Sequence, residues 1–207
     1  PRRILEFGTG RGYGALCMAQ AAVDGGFDCA VWTIDRIPPT HAQPWAIEEG
    51  DAPRVVQRSL AEVWGAHIPA ELTQRIHCLT GDSRTVIRQW RREGRPCVDF
   101  CFIDGGHDYR TVKHDLLASF QLANPGCSMV LDDYTDRKGY GVKRLIDTEI
   151  TPRLPQEALE VIDLMARDRT VFGEDVPHKM VLIQGDQLGR AALPQLRECC
   201  DATHHGH

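Results

Sequence analysis

Apolar positions along the chain form short continuous runs that alternate with longer amphipathic stretches. Short apolar runs that end at glycine or acidic residues are typical of buried strands, whereas apolar spacings of three to four residues indicate helices. The pattern predicts strands at 3–7, 29–34, 76–79, 98–103, 127–131, 159–164 and 180–183. It predicts helices at 13–23, 53–65, 83–92, 108–122 and 141–150, and a loop or lid at 37–52.

The order of these elements predicts the architecture. Five strand–helix repeats, followed by two strands with no obvious helix between them, are typical of an α/β fold. We therefore predict a single Rossmann-like domain over residues 1–190, with a mainly parallel seven-stranded sheet, helices on both faces and a terminal antiparallel strand. Residues 191–207 are predicted to form a disordered tail. Ligands of such sheets bind beyond the carboxyl ends of the strands.

Composition narrows the class of protein. The 207 residues suffice for one domain with a buried core, and 42% apolar and 26% charged residues are ordinary for a globular protein. A net charge of −5 argues against nucleic acid or an anionic membrane as the main partner, and no apolar stretch is long enough to span a bilayer. The eight cysteines contain no C-x-x-C spacing, so we expect reduced thiols in a cytoplasmic protein. A homo-oligomer is compatible with this composition.

The first predicted strand runs into a glycine-rich loop. Gly8, Thr9, Gly10 and Gly12 follow the acidic residue Glu6. Alternating glycines let the backbone turn sharply and approach a ligand without a Cβ in the way. The helix after the loop directs its N-terminal N–H groups at that ligand. The loop is therefore the first candidate for a cofactor site.

Two classes of cofactor suit such a loop. Gly10, Gly12 and Ala15 fit the G-x-G-x-x-A spacing of dinucleotide-binding enzymes. Glu6 shifts the balance, because a carboxylate there would repel a pyrophosphate but can interact with an ammonium group, directly or through water. S-adenosylmethionine carries both an ammonium and a sulfonium group. We therefore expect this cofactor, with an NAD-dependent oxidoreductase as the alternative.

The acid-x-Gly-x-Gly arrangement resembles the first motif of class I S-adenosylmethionine-dependent methyltransferases. By that resemblance, Asp35 at the end of the second strand is expected to hold the ribose hydroxyls, although dehydrogenases have an acid there too. Asp82 and Ser83, after the third strand, are expected to contact adenine. Both residues could instead only cap the helix that follows, and the two roles can coexist.

Two acidic motifs follow neighbouring strands. The fourth strand ends in Ile-Asp-Gly-Gly-His-Asp-Tyr, which contains Asp104, and the fifth ends in Leu-Asp-Asp-Tyr, which contains Asp132 and Asp133. Three carboxylates on one small surface repel one another unless a cation or protons neutralise them. Hard oxygen ligands in this number suit Mg²⁺, Ca²⁺ or Mn²⁺. The alternative is that one aspartate caps a helix, another faces solvent and no metal binds.

These motifs together resemble the metal-dependent O-methyltransferases related to macrocin O-methyltransferase, over about residues 4–150. The resemblance implies Asp104, Asp132 and Asp133 as ligands of a divalent metal, expected to be Mg²⁺. It implies His107 as the general base, and a hydroxylated small molecule, such as a sugar or glycoside, as the acceptor.

Residue chemistry leaves other roles open. A neutral imidazole at His107 could take the proton of an acceptor hydroxyl, because its unperturbed pKa lies near neutrality. A histidine in a turn can also only hold the loop through backbone hydrogen bonds, and His114 is a weaker candidate for the base. Two further hypotheses are a non-catalytic methyltransferase-like binding domain, and the same fold with different chemistry, as in proteins related to cephalosporin hydroxylase.

Overall fold

The computed structural model describes residues 1–49, 52–167 and 177–187, so the predicted tail at 191–207 lies outside the described residues. The strands are β1 (Arg3–Phe7), β2 (Ala30–Asp35), β3 (Ala42–Glu49), β4 (Ala52–Ser59), β5 (Ile76–Thr80), β6 (Val98–Ile103), β7 (Ala123–Leu131), β8 (Leu159–Arg167) and β9 (Pro177–Ile183). The α-helices are α1 (Tyr13–Asp24), α2 (Leu60–His67), α3 (Ala70–Thr73), α4 (Ser83–Arg92), α5 (Tyr109–Leu122) and α6 (Val142–Leu145). Short turns of π- or 3₁₀-helix lie at Ile146–Ile150, Thr151–Arg153, Gln156–Ala158 and Gly185–Gln187.

The main sheet has seven strands in the order β5-β2-β1-β6-β7-β9-β8. The first five are parallel, whereas β9 runs antiparallel to both of its neighbours. The predicted mainly parallel seven-stranded α/β sheet with a terminal antiparallel strand is therefore confirmed. The carboxyl ends of the five parallel strands meet at one edge, where ligands of such sheets bind.

The two faces of the sheet bury separate apolar clusters. Successive residues of a strand point to opposite faces, so Ile4 and Leu5 of β1 belong to different clusters. Ile4 packs with residues of α1 to α3, such as Ala19, whereas Leu5 shares a cluster with Trp90 of α4 and Leu116 of α5. Helices on both faces explain why successive residues of β1, such as Ile4 and Leu5, are both buried.

The prediction of a loop or lid at 37–52 is wrong, because β3 and β4 pair antiparallel as a separate two-stranded sheet. Pro44 is compatible with this pairing, since both strands of a two-stranded sheet are edges. The Trp45 indole donates to the Arg58 carbonyl over 2.8 Å. The Arg11 guanidinium lies 4.5 Å from the centre of the Trp45 ring. The hairpin therefore lies against the glycine-rich loop.

The helix predicted at 53–65 begins only at Leu60, and its predicted first half belongs to β4. Ser59 and Glu62 form a capping box at this start: the Glu62 N–H donates to Ser59 Oγ over 3.2 Å, and the Ser59 N–H donates to Glu62 Oε2 over 2.7 Å. The helix predicted at 141–150 is also shorter, because its second half is a π-helical turn. No helix in the described part of the chain has the length and apolar character needed to cross a membrane.

Candidate active site

A cleft of about 460 Å³ opens at the carboxyl ends of β1, β2, β5 and β6. Six residues that the sequence singled out line it: Gly8, Gly10, Asp35, Ser83, Asp104 and His107. Its other lining residues include Arg36, Ile37, Thr111 and Asp115. The glycine-rich loop therefore shares one cavity with Asp104. Asp104, Asp132 and Asp133 are together called the acidic cluster below.

Gly8 and Gly10 of the glycine-rich loop both have a positive φ, but their surroundings differ. Gly8 has a φ of +94°, and a Cβ there would lie 2.1 Å from the Asp104 carbonyl oxygen, so the loop packs directly on the end of β6. Gly10 has a φ of +50° but meets no protein atom within 4 Å, because it faces the open cleft. The space at Gly10 is therefore available to a ligand.

Glu6 lies beneath this loop rather than in the lining of the cleft. It is only 1% exposed, and a Cβ on Gly14 would lie 2.2 Å from Glu6 Oε1. Glu6 Oε2 is buried without a hydrogen-bond partner. Burial raises the pKa of Glu6 to about 8, against a hydrogen bond from Thr33 that lowers it. The predicted contact of Glu6 with a ligand ammonium stays a prediction.

Other predicted cofactor residues have clear structural roles. The Thr9 and Thr33 hydroxyls are 2.7 Å apart, so the Thr9 side chain points into the protein. Gly12 is the N-cap of α1 and is packed closely against Trp64. Asp35 lines the cleft, and its two carboxylate oxygens accept the backbone N–H groups of Gly10 and Ile37, each over 2.9 Å. Asp35 therefore ties the glycine-rich loop to the end of β2.

Asp82 and Ser83 differ in what they contact. Asp82 caps α4 by accepting the Arg84 N–H over 3.1 Å, and it pairs with Arg36 over 2.8 Å. Although partial burial opposes the shift, these partners hold the pKa of Asp82 below its usual range. Ser83 lines the cleft and donates to Asp115 over 2.7 Å. Asp82 thus caps α4 and pairs with Arg36, whereas Ser83 lies where its side chain can contact a ligand in the cleft.

The three strand-end aspartates come together as the order β1-β6-β7 requires. The Asp104 N–H donates to the Phe7 carbonyl of β1, and the Asp132 N–H donates to the Ile103 carbonyl of β6. Burial, and then the charges of Asp132 and Asp133, raise the pKa of Asp104 to about 7. Ionisation of all three carboxylates at once is therefore unfavourable without a neutralising positive charge.

Asp133 has the strained backbone of the cluster. Its φ of 59° is in the left-handed region, which residues other than glycine rarely adopt. The Asp133 N–H donates to Asp132 Oδ1 over 2.7 Å. This turn keeps both carboxylates at the edge of the sheet, and such strain is common at functional sites.

Two histidines contact the aspartates from different elements. Asp133 Oδ2 lies 2.6 Å from His107 Nδ1, and the His107 ring stacks on Tyr140 at 4.8 Å. The hydrogen bond with Asp133 raises the pKa of His107. Asp132 Oδ1 lies 2.5 Å from Nε2 of His178 on β9. Although burial opposes it, the hydrogen bond with Asp132 raises the pKa of His178.

Sequence reasoning missed His178. One ligand atom from each of Asp132, Asp133 and His178 lies within 4.8 Å of the other two. The antiparallel pairing of β9 with β7, in which Leu131 lies opposite Val181, brings His178 to this edge. The sequence predicted a strand only from residue 180, so His178 fell outside it. Recognising that β9 begins at Pro177 and pairs with β7 would have found it.

Comparison with known proteins decides the family. A family model described as "Methyltransferase domain" matches residues 5–134, which is more than half of the chain. The chain belongs to this family. The prediction of an S-adenosylmethionine-dependent methyltransferase is therefore confirmed, and the family match disfavours the NAD-dependent oxidoreductase. A search of curated proteins gave no match.

Solved structures of O-methyltransferases have the same fold as this methyltransferase. The Bacillus cereus O-methyltransferase in complex with S-adenosylhomocysteine is 18% identical, with a TM-score of 0.57 over 88% of this chain and 74% of that chain. CalS11, a TDP-rhamnose 3′-O-methyltransferase of calicheamicin biosynthesis, is 18% identical, with a TM-score of 0.55 over 89% and 71%. TomG from Streptomyces achromogenes, in complex with S-adenosylmethionine, is 16% identical, with a TM-score of 0.52 over 88% and 73%.

The open space at Gly10 gives a test of the cofactor site. Gly10→Val should abolish binding of S-adenosylhomocysteine, because the side chain would occupy the cleft. Gly26→Val is the matched control, since Gly26 also has a positive φ (+63°) and no atom within 4 Å but lies outside the cleft. Both variants should lose similar stability, and only Gly10→Val should lose binding in titration calorimetry. Equal binding by both variants would place the cofactor elsewhere.

The buried carboxyl of Glu6 predicts a pH dependence of stability. As pH rises from 4.5 towards 8, the unfolded chain loses the Glu6 proton while the folded protein keeps it. The free energy of unfolding should therefore fall by up to about 1.4 kcal/mol per pH unit from this group. Glu6→Gln should flatten that slope in urea unfolding at pH 5 to 8, whereas exposed Glu71→Gln should not. Parallel slopes for wild type and Glu6→Gln would show that Glu6 is ionised in the folded protein.

Proposed function

We propose that this methyltransferase transfers the methyl group of S-adenosylmethionine to a hydroxyl oxygen of a small-molecule acceptor, with the help of a divalent cation. One observation carries the proposal: Asp104 and His107 line the same cleft as Gly8 and Gly10. A methyl donor on the glycine-rich loop would therefore face a group that can bind an acceptor oxygen and a group that can take its proton. Similarity to O-methyltransferases, one of which acts on TDP-rhamnose, supports an oxygen acceptor and a sugar-like substrate.

Cofactor binding is assigned to the residues around the loop. Gly10 leaves room for the ligand, Gly8 lets the loop pack on the end of β6, and Asp35 offers a carboxylate in the same cleft for the ribose hydroxyls. Ser83 offers a hydroxyl for the adenine in the lining of the cleft. Glu6, Thr9, Gly12 and Asp82 support these groups by fixing the loop and the start of the flanking helices.

The donor set of the acidic cluster fits a divalent cation. Asp132 and Asp133 supply carboxylate oxygens at ligand distance from each other, and we assign Asp104, which lies outside that set, to the same ion. Burial, and then the charges of the other two carboxylates, raise the pKa of Asp104, so a bound cation would relieve an unfavourable charge. Such an ion, when bound, lowers the pKa of an acceptor hydroxyl and orients it. Vicinal hydroxyls chelate well, which favours a diol, a catechol or a sugar as the acceptor.

His107 is placed to act as the general base. The contact of Nδ1 with Asp133 favours the tautomer in which Nδ1 carries the proton, so the basic lone pair is on Nε2. This orientation by a carboxylate is the arrangement that makes histidine an effective base in other enzymes. Stacking on Tyr140 fixes the plane of the ring. Much of the remaining rate acceleration comes from holding donor and acceptor in line within the cleft.

A metal-binding assay tests the role of the acidic cluster. MnCl₂ or MgCl₂ should raise the melting temperature, because an ion that binds only the folded protein stabilises it by mass action. At a free ion concentration of one hundred times the dissociation constant, the free energy of unfolding should rise by about 2.7 kcal/mol. Asp133→Asn should remove this effect, and asparagine tolerates the positive φ at this position. Asp24→Ala, on the exposed end of α1, is the control and should retain it. If a chelator leaves both melting temperature and methyl transfer unchanged in the wild type, the metal-assisted proposal is wrong.

The base hypothesis predicts a loss of turnover without a loss of binding. His107→Ala should lower kcat by roughly 10²- to 10⁴-fold, the usual effect of losing a general base, while affinity for S-adenosylhomocysteine changes little. Because the hydrogen bond with Asp133 raises the pKa of His107 above the ordinary 6.5, wild-type activity should fall as the pH decreases through that raised pKa. The activity of His107→Ala should not show this fall at acidic pH.

The assay should use an aliphatic alcohol acceptor, because a catechol ionises too easily to need the base. His67→Ala changes a histidine at the end of α2, outside the cleft, and should behave as the wild type. Near-normal turnover of His107→Ala would exclude His107 as the base and leave it a role in holding the loop.

A further inference from the structure

The histidines on the two sides of the acidic cluster differ in what surrounds them. His107 lines the cleft, where an acceptor would lie. His178 is absent from the lining and approaches the cluster from β9, on the side of β7 away from the cofactor loop. The two imidazoles therefore contact the aspartates from elements on opposite sides of β7, and only His107 lines the cleft of the proposed reaction.

The atoms of His178 are close enough to those of the aspartates to bind the same ion. Its Nε2 lies 2.5 Å from Asp132 Oδ1 and belongs, with one oxygen each of Asp132 and Asp133, to a set of donor atoms within 4.8 Å of one another. Two ligands bound to one cation at bond lengths of about 2.0–2.2 Å lie about 3 to 4.4 Å apart. The 2.5 Å contact is therefore a hydrogen bond that has to open slightly, with an ion taking the place of its proton, for both atoms to bind. His178 is about one-third exposed, so an ion has access to it.

A nitrogen donor changes which ions the site favours. Mg²⁺ and Ca²⁺ prefer oxygen ligands only. Imidazole suits first-row transition ions such as Zn²⁺ and Fe²⁺, and Mn²⁺, the weakest-binding ion of that series, accepts a nitrogen ligand more readily than Mg²⁺ does. A site of aspartates alone would not make this distinction so strongly.

We propose that His178 is a nitrogen ligand of the divalent cation, and that it makes the site select Mn²⁺ or a similar transition ion over Mg²⁺. The inference rests on the proposed function, because it concerns the same acidic cluster. It revises the sequence-based expectation of Mg²⁺, which took only carboxylates into account. It also separates the two histidines: His178 holds the ion, and His107 remains available to accept a proton.

Titration calorimetry with MnCl₂ and MgCl₂ tests the selectivity on the full chain. Wild type should bind Mn²⁺ more tightly than Mg²⁺. His178→Ala should weaken Mn²⁺ binding by at least about tenfold, the lower end of the loss seen even for residues that only support a metal ligand. Mg²⁺ binding should weaken less. His178→Gln, which retains a polar group beside Asp132, provides a second variant if alanine impairs folding, and it should show the same loss of preference for Mn²⁺.

Pulsed electron paramagnetic resonance of bound Mn²⁺ tests the nitrogen directly. A ¹⁴N coupling should be present in the wild type and in His107→Ala, and absent in His178→Ala and His178→Gln. His67→Ala is the control for removal of a distant imidazole and should keep the coupling.

The possible results separate this inference from the proposal on which it rests. If wild type binds Mn²⁺ without a ¹⁴N coupling, or if only His107→Ala loses the coupling, the role of His178 is wrong while metal assistance stands. Equal affinity of wild type for Mn²⁺ and Mg²⁺ would contradict the selectivity. If neither ion binds the wild type, both the metal-assisted function and the role of His178 are wrong.

Discussion

Repulsion among three carboxylates at one edge of the sheet is the constraint on which the proposed site depends. The order β1-β6-β7 brings the strand ends together, and burial of Asp104 makes its charge unfavourable there. In the absence of a cation, protons and two imidazoles offset this charge, because His107 contacts Asp133 and His178 contacts Asp132. A cation would offset this charge more strongly than protons or imidazoles do. Positive charge from protons, from imidazolium groups or from a metal ion would therefore stabilise the cluster.

The end of β6, which bears Asp104, also contacts the glycine-rich loop proposed to bind the cofactor. Gly8 packs against the Asp104 carbonyl so closely that no side chain fits between them, and Gly10 is tied to Asp35. The glycine-rich loop is thus in direct contact with the backbone of a proposed metal ligand. Beneath the loop, Glu6 is a buried carboxyl whose pKa of about 8 makes it mainly neutral near pH 7. A neutral Glu6 would neither attract an ammonium group nor repel a pyrophosphate by charge, so the family match, and not this carboxyl, decides between the two classes of cofactor.

The sequence predicted the parallel core because its strands are buried on both faces and appear as continuous apolar runs. The placement of Asp104 and Asp133 followed from this, since carboxyl ends of neighbouring parallel strands meet at one edge. The hairpin of β3 and β4 was missed because three prolines and the lack of a clear period at 37–52 suggested a loop, while the apolar spacing at 53–65 suggested a helix. His178 was missed because antiparallel register depends on tertiary pairing, which local periodicity does not contain. Side-chain orientation was also beyond the sequence, and so the burial of Glu6 beneath the loop was not foreseen.

The central claim is that the methyl donor and the cation occupy one cleft at this edge of the sheet. Paramagnetic broadening of the ¹³C-methyl resonance of bound S-adenosylmethionine by Mn²⁺ measures their proximity most directly, in the absence of an acceptor. The account predicts strong broadening that a chelator reverses and that Asp133→Asn prevents. A methyl resonance that stays sharp while Mn²⁺ and S-adenosylmethionine are both bound to the protein would contradict it.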